Sequence, residues 1–404
     1  MARIRVGPYL YTMQQTSLEK EQKTAVLNNT RIYLDNAATT PLDPQVLEAM
    51  LPYLTSHFGN PSSIYSFGRE TRLAIETSRK SVARALGVHP RNIFFTSGGT
   101  ESNNTAISAA IRDLGCNHIL TSPIEHHAVL HTVEHYCHCN NLPHSFVQLT
   151  NEGAVDYADL EKQLAALQTA GKKCLVSLMH ANNEIGVLLH MERVGDLCRS
   201  YGAIFHSDCV QTVGHYPVDL SNTGVHFISA ASHKFHGPKG VGILYVSDDV
   251  QIKPIIYGGG QERNMRAGTE NVYGIVGFAK ALEIAMDAYE ADSAYLKNLK
   301  AYMKQRLEEM IPGVGFNDCP DSLYTVLSVC FPKTEKSDFL LMSLDMANIC
   351  VSGGSACSSG ASIGSHVIQA LQKANDCTTI RFSFSKYNTK EEIDRVVAKL
   401  QDLV

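Results

Sequence analysis

No apolar run in this chain reaches the ~18 residues expected of a membrane-spanning helix, so a membrane role is not expected. No basic stripe is present either. The 35 Lys and Arg are offset by 40 Asp and Glu, for a net charge of -5, and no nucleic-acid partner is expected. The first thirty residues lack an apolar core followed by a small-residue cleavage site, which argues against secretion. Arg3 and Arg5 hint at a transit peptide, but Glu19 and Glu21 interrupt the pattern, and residues 1–30 read as an extension. Internal repeats and low-complexity segments are also missing. The cluster His135, Cys137, His138 and Cys139 has metal-ligand residue types but no second pair at a matching distance. It reads as a helix end, and no metal is expected.

What is there is a long, apolar, strongly patterned chain. Its 404 residues are 44% hydrophobic and 19% charged, enough for a sizeable core and two or three domains. Eleven cysteines lie scattered through apolar segments. Without a secretory signal they point to a reducing, cytoplasmic setting and mostly buried thiols, with Cys330 and Cys350 reading as core.

Residues 31–40 read as a short strand, and Pro41 and Pro44 open a helix to about Tyr53. A second helix covers about Glu70 to Leu86. From Asn92 onward, apolar strands alternate with helical stretches: strands at Asn92–Thr96, His118–Thr121, Cys174–Met179 and Ala203–His206, helices from Thr100 and His127. That alternation predicts an α/β fold with a mostly parallel sheet flanked by helices. A long helical stretch over 271–310, bent near its acidic middle, leads to a smaller α+β part. The expected division is an extension (1–30), a large domain (31–285, whose N-terminal part can contribute to the small domain) and a small C-terminal domain (286–404).

Ala230-Ala231-Ser232-His233-Lys234-Phe235-His236-Gly237-Pro238 lies between two apolar runs and reads as strand, turn, strand. Alone, a turn lysine is usually solvated. Desolvated and held beside histidines, it can lose its proton and condense with an aldehyde. Pyridoxal phosphate also needs an acid for its ring nitrogen and a phosphate cradle. Asp208, at the end of the Ala203 strand, offers the acid; alone it could equally cap a helix. Ser97-Gly98-Gly99-Thr100 joins a strand to a helix, where backbone N–H groups and the Thr100 hydroxyl favour an anion. His126 could stack on a ring and move protons, and Asn183 could bind a carboxylate. Thr100, His126, Asn183, Asp208 and Lys234 all follow apolar strands, the edge where open α/β sheets bind ligands.

With these segments in view, the chain resembles the cysteine desulfurases of the class V aminotransferase superfamily, fold-type I enzymes, in their long-loop group. The resemblance rests on Asp35-Asn36-Ala37-Ala38-Thr39-Thr40, Ser97 to Asn103, Asn182 to Val187, Asp208 with Gln211, and Ser232 to Gly240. It also rests on Gly258 to Arg263 with Arg266-Ala267-Gly268-Thr269, and on Ser352-Gly353-Gly354-Ser355-Ala356-Cys357-Ser358-Ser359. It implies pyridoxal phosphate as cofactor, Lys234 as the Schiff-base lysine, and His126 stacked on the ring. Asp208 would face the ring nitrogen and Gln211 the ring oxygen. The phosphate would be held by Gly99, Thr100 and His233, and by Thr269 across a homodimer interface. The family often has a phosphate-binding serine where this chain has Ala231, and Ser232 or Ser229 is the expected substitute. Asn183 and Arg381 would bind the L-cysteine carboxylate. Cys357 would take the sulfur as a persulfide and pass it to an acceptor protein, such as an iron–sulfur scaffold, for cluster or thiolated-cofactor synthesis. The chain ends soon after its last helix, without the longer tail by which some members meet that scaffold. The alternatives are a selenocysteine lyase, a class V aminotransferase, or a non-catalytic sulfur-carrier subunit. A plain aminotransferase would not need Cys357 on a Ser/Gly-rich loop.

Overall fold

The computed structural model describes residues 31–334, 337–353, 365–371 and 377–404. In chain order the elements are β1 (Ile32–Tyr33), α1 (Pro44–Thr55), α2 (Ser66–Ala85), β2 (Ile93–Thr96), α3 (Gly99–Arg112), β3 (His118–Thr121) and α4 (His127–Asn140). They continue with β4 (His144–Phe146), α5 (Tyr157–Thr169), β5 (Cys174–Ser177), α6 (Met191–Tyr201), β6 (Ile204–Asp208), β7 (Phe227–Ala231) and β8 (Gly242–Val246). The last group is α7 (Val272–Asp287), α8 (Tyr289–Met310), β9 (Gly315–Phe316), β10 (Val326–Pro332), α9 (Leu340–Met346), β11 (Ile349–Cys350), α10 (His366–Ala370), β12 (Cys377–Ser383) and α11 (Lys390–Leu403).

Seven strands form the main sheet in the order β2-β8-β7-β6-β5-β3-β4. All neighbours from β7 to β4 are parallel; β8 alone runs antiparallel to both β7 and β2. The mostly parallel α/β sheet expected from strand–helix alternation is therefore present. Strands β3, β5, β6, β7 and β8 are buried along their whole length. Helices cover both faces, which is why these strands read as unbroken apolar runs rather than alternating ones.

The β8 position brings two distant turns to one edge. Gly242 pairs with Thr96 on one side and Ala231 on the other. A Cβ at Gly242 would lie 2.7 Å from the Gly98 Cα and 2.5 Å from the Ala230 oxygen. Only glycine admits the close approach of the Gly98 turn to the strand end that leads into Lys234.

A second sheet, β12-β10-β9, is antiparallel, and β1 pairs with β11 in parallel. Its apolar face packs on α8 and α11 through Leu299, Met303, Val329, Phe382, Ile393 and Val397, and Ile32 and Leu34 join this cluster. The 271–310 helical stretch is two helices that meet at Ala288. The first packs on the main-sheet core through Phe278 and Leu282; the second contributes Leu296 and Leu307 to the C-terminal cluster.

Two expectations are corrected. The strand expected over residues 31–40 stops at Tyr33. Asp35 to Ala38 turn instead, with the Ala38 N–H bonded to the Asp35 oxygen, and this aims the Ala37 and Ala38 carbonyls at Lys234. Cys330 is not a free core thiol: it is disulfide-bonded to Cys377 across β10 and β12. The metal-type cluster on α4 divides by helical position, with Cys137 in the core and Cys139 exposed. No helix among the described residues is long and apolar enough to cross a membrane.

Candidate active site

A cavity of about 250 Å³ opens at the carboxyl edge of the main sheet. Gly99, Thr100, His126, Asn183, Asp208, Gln211, His233, Lys234 and Arg381, drawn from six separate stretches of sequence, all line it. Cys357 lies outside the described residues. Three sequence-selected residues sit elsewhere. The Ser232 hydroxyl donates to the Pro238 carbonyl at 2.5 Å, so it closes the lysine turn instead of facing the cavity. Ser229 is fully buried beside His206 and does not line the cavity. Thr269 lines a separate cavity of about 210 Å³ beside Ser97 and Gly240.

Lys234 ends a short 3-10 turn that directly follows β7. Its Nζ donates to the Ala37 and Ala38 carbonyls at 2.7 and 2.8 Å. Behind it, the His215 Nε2 lies 3.0 Å from the Lys234 carbonyl oxygen, so that nitrogen carries the proton and donates. Burial, with the charge of His236 second, pulls His215 down to about 4 and keeps the ring otherwise neutral.

Asp208 is the last residue of β6. Its Oδ1 accepts from the Val210 N–H at 2.9 Å and its Oδ2 from Asn103 Nδ2 at 2.7 Å. The Asn103 amide oxygen then faces His206 Nε2 at 3.1 Å, and His206 Nδ1 lies 2.8 Å from the Ser177 hydroxyl. Since Asn103 spends its amide hydrogen on Asp208, His206 must donate from Nε2 and accept at Nδ1. Complete burial holds His206 neutral, down to about 4. The row Ser177–His206–Asn103–Asp208 fixes the carboxylate's position.

His126 caps α4 with its own ring: Nδ1 accepts from the Ala128 N–H at 3.0 Å. The neutral ring therefore carries its proton on Nε2. Burial lowers the His126 pKa, partly opposed by the Asp208 charge. His233 Nδ1 lies 3.2 Å from the Thr39 hydroxyl, and burial followed by the Lys234 charge brings it down to about 4. Arg381 comes from β12 of the second sheet. Its Nη1 donates to the Asn183 carbonyl at 2.9 Å and its Nη2 to Asp35 Oδ1 at 2.6 Å, while its buried Nε has no partner among the described residues.

These residues fit pyridoxal phosphate. A carboxylate ends one wall, the N-terminus of the 14-residue α3 with Thr100 forms another, and a partly buried lysine amine reaches the same space. Gly99 sits where a Cβ would meet Val210 at 2.6 Å, so the helix start can press against the wall beside Asp208.

Asn103, His206, Asp35 and His215 support the cavity-lining residues through hydrogen bonds, and sequence reasoning left them without a role. Two carried a usable signal. Asn103 is one helical turn after Thr100, and His206 is two residues before Asp208 on the same strand face.

Comparison with known proteins agrees with this arrangement. The Aminotransferase class-V family matches residues 32–396. A Dictyoglomus turgidum protein named cysteine desulfurase IscS is 42% identical over 378 residues, 92% of this chain and 94% of that one. The chain belongs to the cysteine desulfurases of the class-V aminotransferase family. A Bacillus subtilis relative named putative cysteine desulfurase IscS 1 is 40% identical over 93% of this chain and 98% of its own. Among solved structures, a NifS-like protein superposes with a TM-score of 0.84 at 37% identity, covering 92% of this chain and 98% of that one. A structure described as SspA in complex with cysteine gives 0.77 at 30% identity over 89% and 100%. As a member of this family the chain is a pyridoxal-phosphate-dependent enzyme with the fold-type I architecture.

Proposed function

We propose that this enzyme removes sulfur from L-cysteine, leaving L-alanine and a persulfide on Cys357. The observation that carries this reading is the convergence of Lys234, His126, Asp208, Asn183 and Arg381 on one cavity. Bound pyridoxal phosphate would supply an electron-withdrawing ring that stabilises negative charge at the substrate Cα. Asp208 would hold its ring nitrogen, Gln211 its ring oxygen, and Thr100, Gly99 and His233 its phosphate, with Thr269 serving the phosphate across a homodimer interface.

Arg381 and Asn183 hold the substrate carboxylate; the guanidinium fork suits this geometry. The Lys234 amine holds the cofactor between turnovers and then moves the proton at the substrate Cα. Neutral His126 holds a proton at Nε2. The Cys357 thiolate attacks the substrate sulfur, the C–S bond breaks, and its electron pair returns to the carbon that becomes the alanine methyl.

The assembly is a homodimer. The exposed side chains of Phe58, Ile64, Phe67 and Leu73 support a covered face on α2 and the loop before it. The chain is read as a large domain over 31–285 and a small one over 286–404, supported by the separate apolar clusters. The setting is cytoplasmic, and the sulfur goes to an acceptor protein for iron–sulfur cluster or thiolated-cofactor synthesis.

The test mixes purified holoenzyme with cysteine and measures alanine, persulfide and sulfide, with selenocysteine alongside. The Cys357→Ala enzyme keeps the cofactor colour and loses alanine formation from cysteine. Full activity in that variant overturns the assignment of the nucleophile.

A further inference from the structure

Glu125 sits between two of the turns that build the active-site cavity. It is 1% exposed and lies after β3, next to His126. Its Oε1 accepts from the Ser122 hydroxyl and from the Met179 N–H, both at 2.9 Å. The second bond crosses to the turn after β5, where Met179 and Asn183 line the active-site cavity. A parallel tie joins the same turns: Asn182 Nδ2 donates to the Ile124 carbonyl at 2.8 Å. The Glu125 carboxyl therefore helps to set the spacing between His126 and Asn183.

The other carboxyl oxygen, Oε2, is buried and has no partner among the described residues. Beside the carboxyl lies a cavity of about 20 Å³, bounded by Ser122, Ile124, Met179, Asn182 and Val187. It has room for one water molecule, and among the described residues no basic side chain lines it. A carboxylate oxygen there would carry charge with neither a protein donor nor a countercharge. A protonated carboxyl fits the contacts: Oε1 accepts twice, and the Oε2 hydroxyl donates to a water in the cavity. The ionisable groups on the elements around it are Asp208 at the end of β6, His126 and His127 beside it in sequence, His180 after β5, and His366 of α10. His366 Nε2 donates to the Glu125 backbone carbonyl at 2.9 Å. Burial lowers the pKa of His126, His127 and His180, so none of these three supplies a countercharge at neutral pH. Burial pushes Glu125 up to about 8; the Met179 and Ser122 bonds oppose this only in part, and the Asp208 charge adds to it.

We propose that Glu125 is a positioning residue that works as a neutral carboxylic acid, tying the His126 turn to the Asn183 turn without adding a second negative charge beside Asp208. This rests on the desulfurase reading of the cavity. Losing the proton sets two like charges against each other across these turns, so turnover declines as Glu125 ionises.

The experiment compares wild-type, Glu125→Gln and Glu125→Ala holoenzymes from about pH 6 to about pH 10. Glutamine keeps an acceptor and a donor where the protonated acid has them. Its kcat/KM for cysteine is expected to match the wild type at pH 7 and to exceed it about tenfold at pH 9, since one titrating proton costs about tenfold per pH unit above about 8. Limbs set by cysteine or by other groups are common to both enzymes and cancel in the ratio. Glu125→Ala cuts the tie and is expected to lose about ten- to a hundredfold at every pH. A Gln-to-wild-type ratio that stays flat with pH overturns the proposal, as does full activity in Glu125→Ala. A second measurement covers variants that do not fold: infrared spectra of wild-type holoenzyme carrying isotope-labelled glutamate. A protonated glutamate band is expected at pH 7 and is expected to fade as the pH passes about 8; its absence at pH 7 overturns the proposal. The spectra need no turnover. If the band is present while no enzyme forms alanine from cysteine, the desulfurase reading fails and the neutral acid stands.

Discussion

Arg381 Nη2 donates to Asp35 Oδ1 at 2.6 Å, joining the cavity-lining guanidinium of β12 to the turn that also supplies the acceptor carbonyls for Lys234. With Nη1 on the Asn183 carbonyl, the fork is held in one plane before any substrate arrives. Arg381→Lys keeps the charge but loses the second arm. A charge-assisted hydrogen bond contributes about 1.5–3 kcal/mol, so KM for cysteine is expected to rise about ten- to a hundredfold with a smaller change in kcat. Steady-state kinetics check this; an unchanged KM refutes the carboxylate role.

Buried neutral histidines make this fold acid-sensitive. His206 and His215 are held near 4 by burial, against an ordinary 6.5. Above pH 6.5 neither the folded nor the unfolded chain protonates them. Below it the unfolded chain takes up protons that the folded chain refuses until about pH 4, so stability falls as pH drops through that window. Each histidine is expected to remove about 2 kcal/mol between pH 7 and 5. Urea unfolding at the two pH values measures the sum, and His215→Gln flattens the dependence.

Arg79 and Glu262 form a buried bidentate pair, both contacts at 2.8 Å, with side chains 2% and 3% exposed. Glu262 also accepts from the Phe95 N–H and sits at φ 43°, in the left-handed region. Arg79→Met strands that carboxylate without a countercharge. The expected cost is about 3–5 kcal/mol, read as a lower denaturation midpoint. A midpoint within error of the wild type contradicts it.

Ile64 is 89% exposed and Leu73 is 68% exposed. The combined Ile64→Asp and Leu73→Asp change places charge in the proposed dimer face, where burial of an unpaired carboxylate is unfavourable. The native mass from light scattering is expected to halve, and alanine formation to fall with it if Thr269 acts across the interface. A wild-type mass in the variant removes that face from the interface.

Much of the site was legible because strand ends are legible. Asp208, His126, Thr100 and Lys234 each follow an apolar run, and a parallel sheet brings such ends to one edge whatever the loops between them do. Ser232 was misread for a local reason. Which way its hydroxyl turns depends on the Pro238 carbonyl six residues later, and that depends on how the turn closes. Cys330 was misread for a distant one. An apolar run marks it as core, but its partner Cys377 is 47 residues away on a strand whose register no local pattern sets.

By itself, the amino-acid sequence determined the strand–helix alternation, the residues placed at the strand ends and the cysteine desulfurase motifs, because periodicity and turn chemistry are local properties. The tertiary structure alone decided which of those residues share a cavity. It set Arg381 against Asp35, 346 positions earlier, lined up Ser177, His206 and Asn103 behind Asp208, and closed Cys330 onto Cys377. Those contacts depend on sheet order and strand register, and both are fixed only when the whole core packs at once.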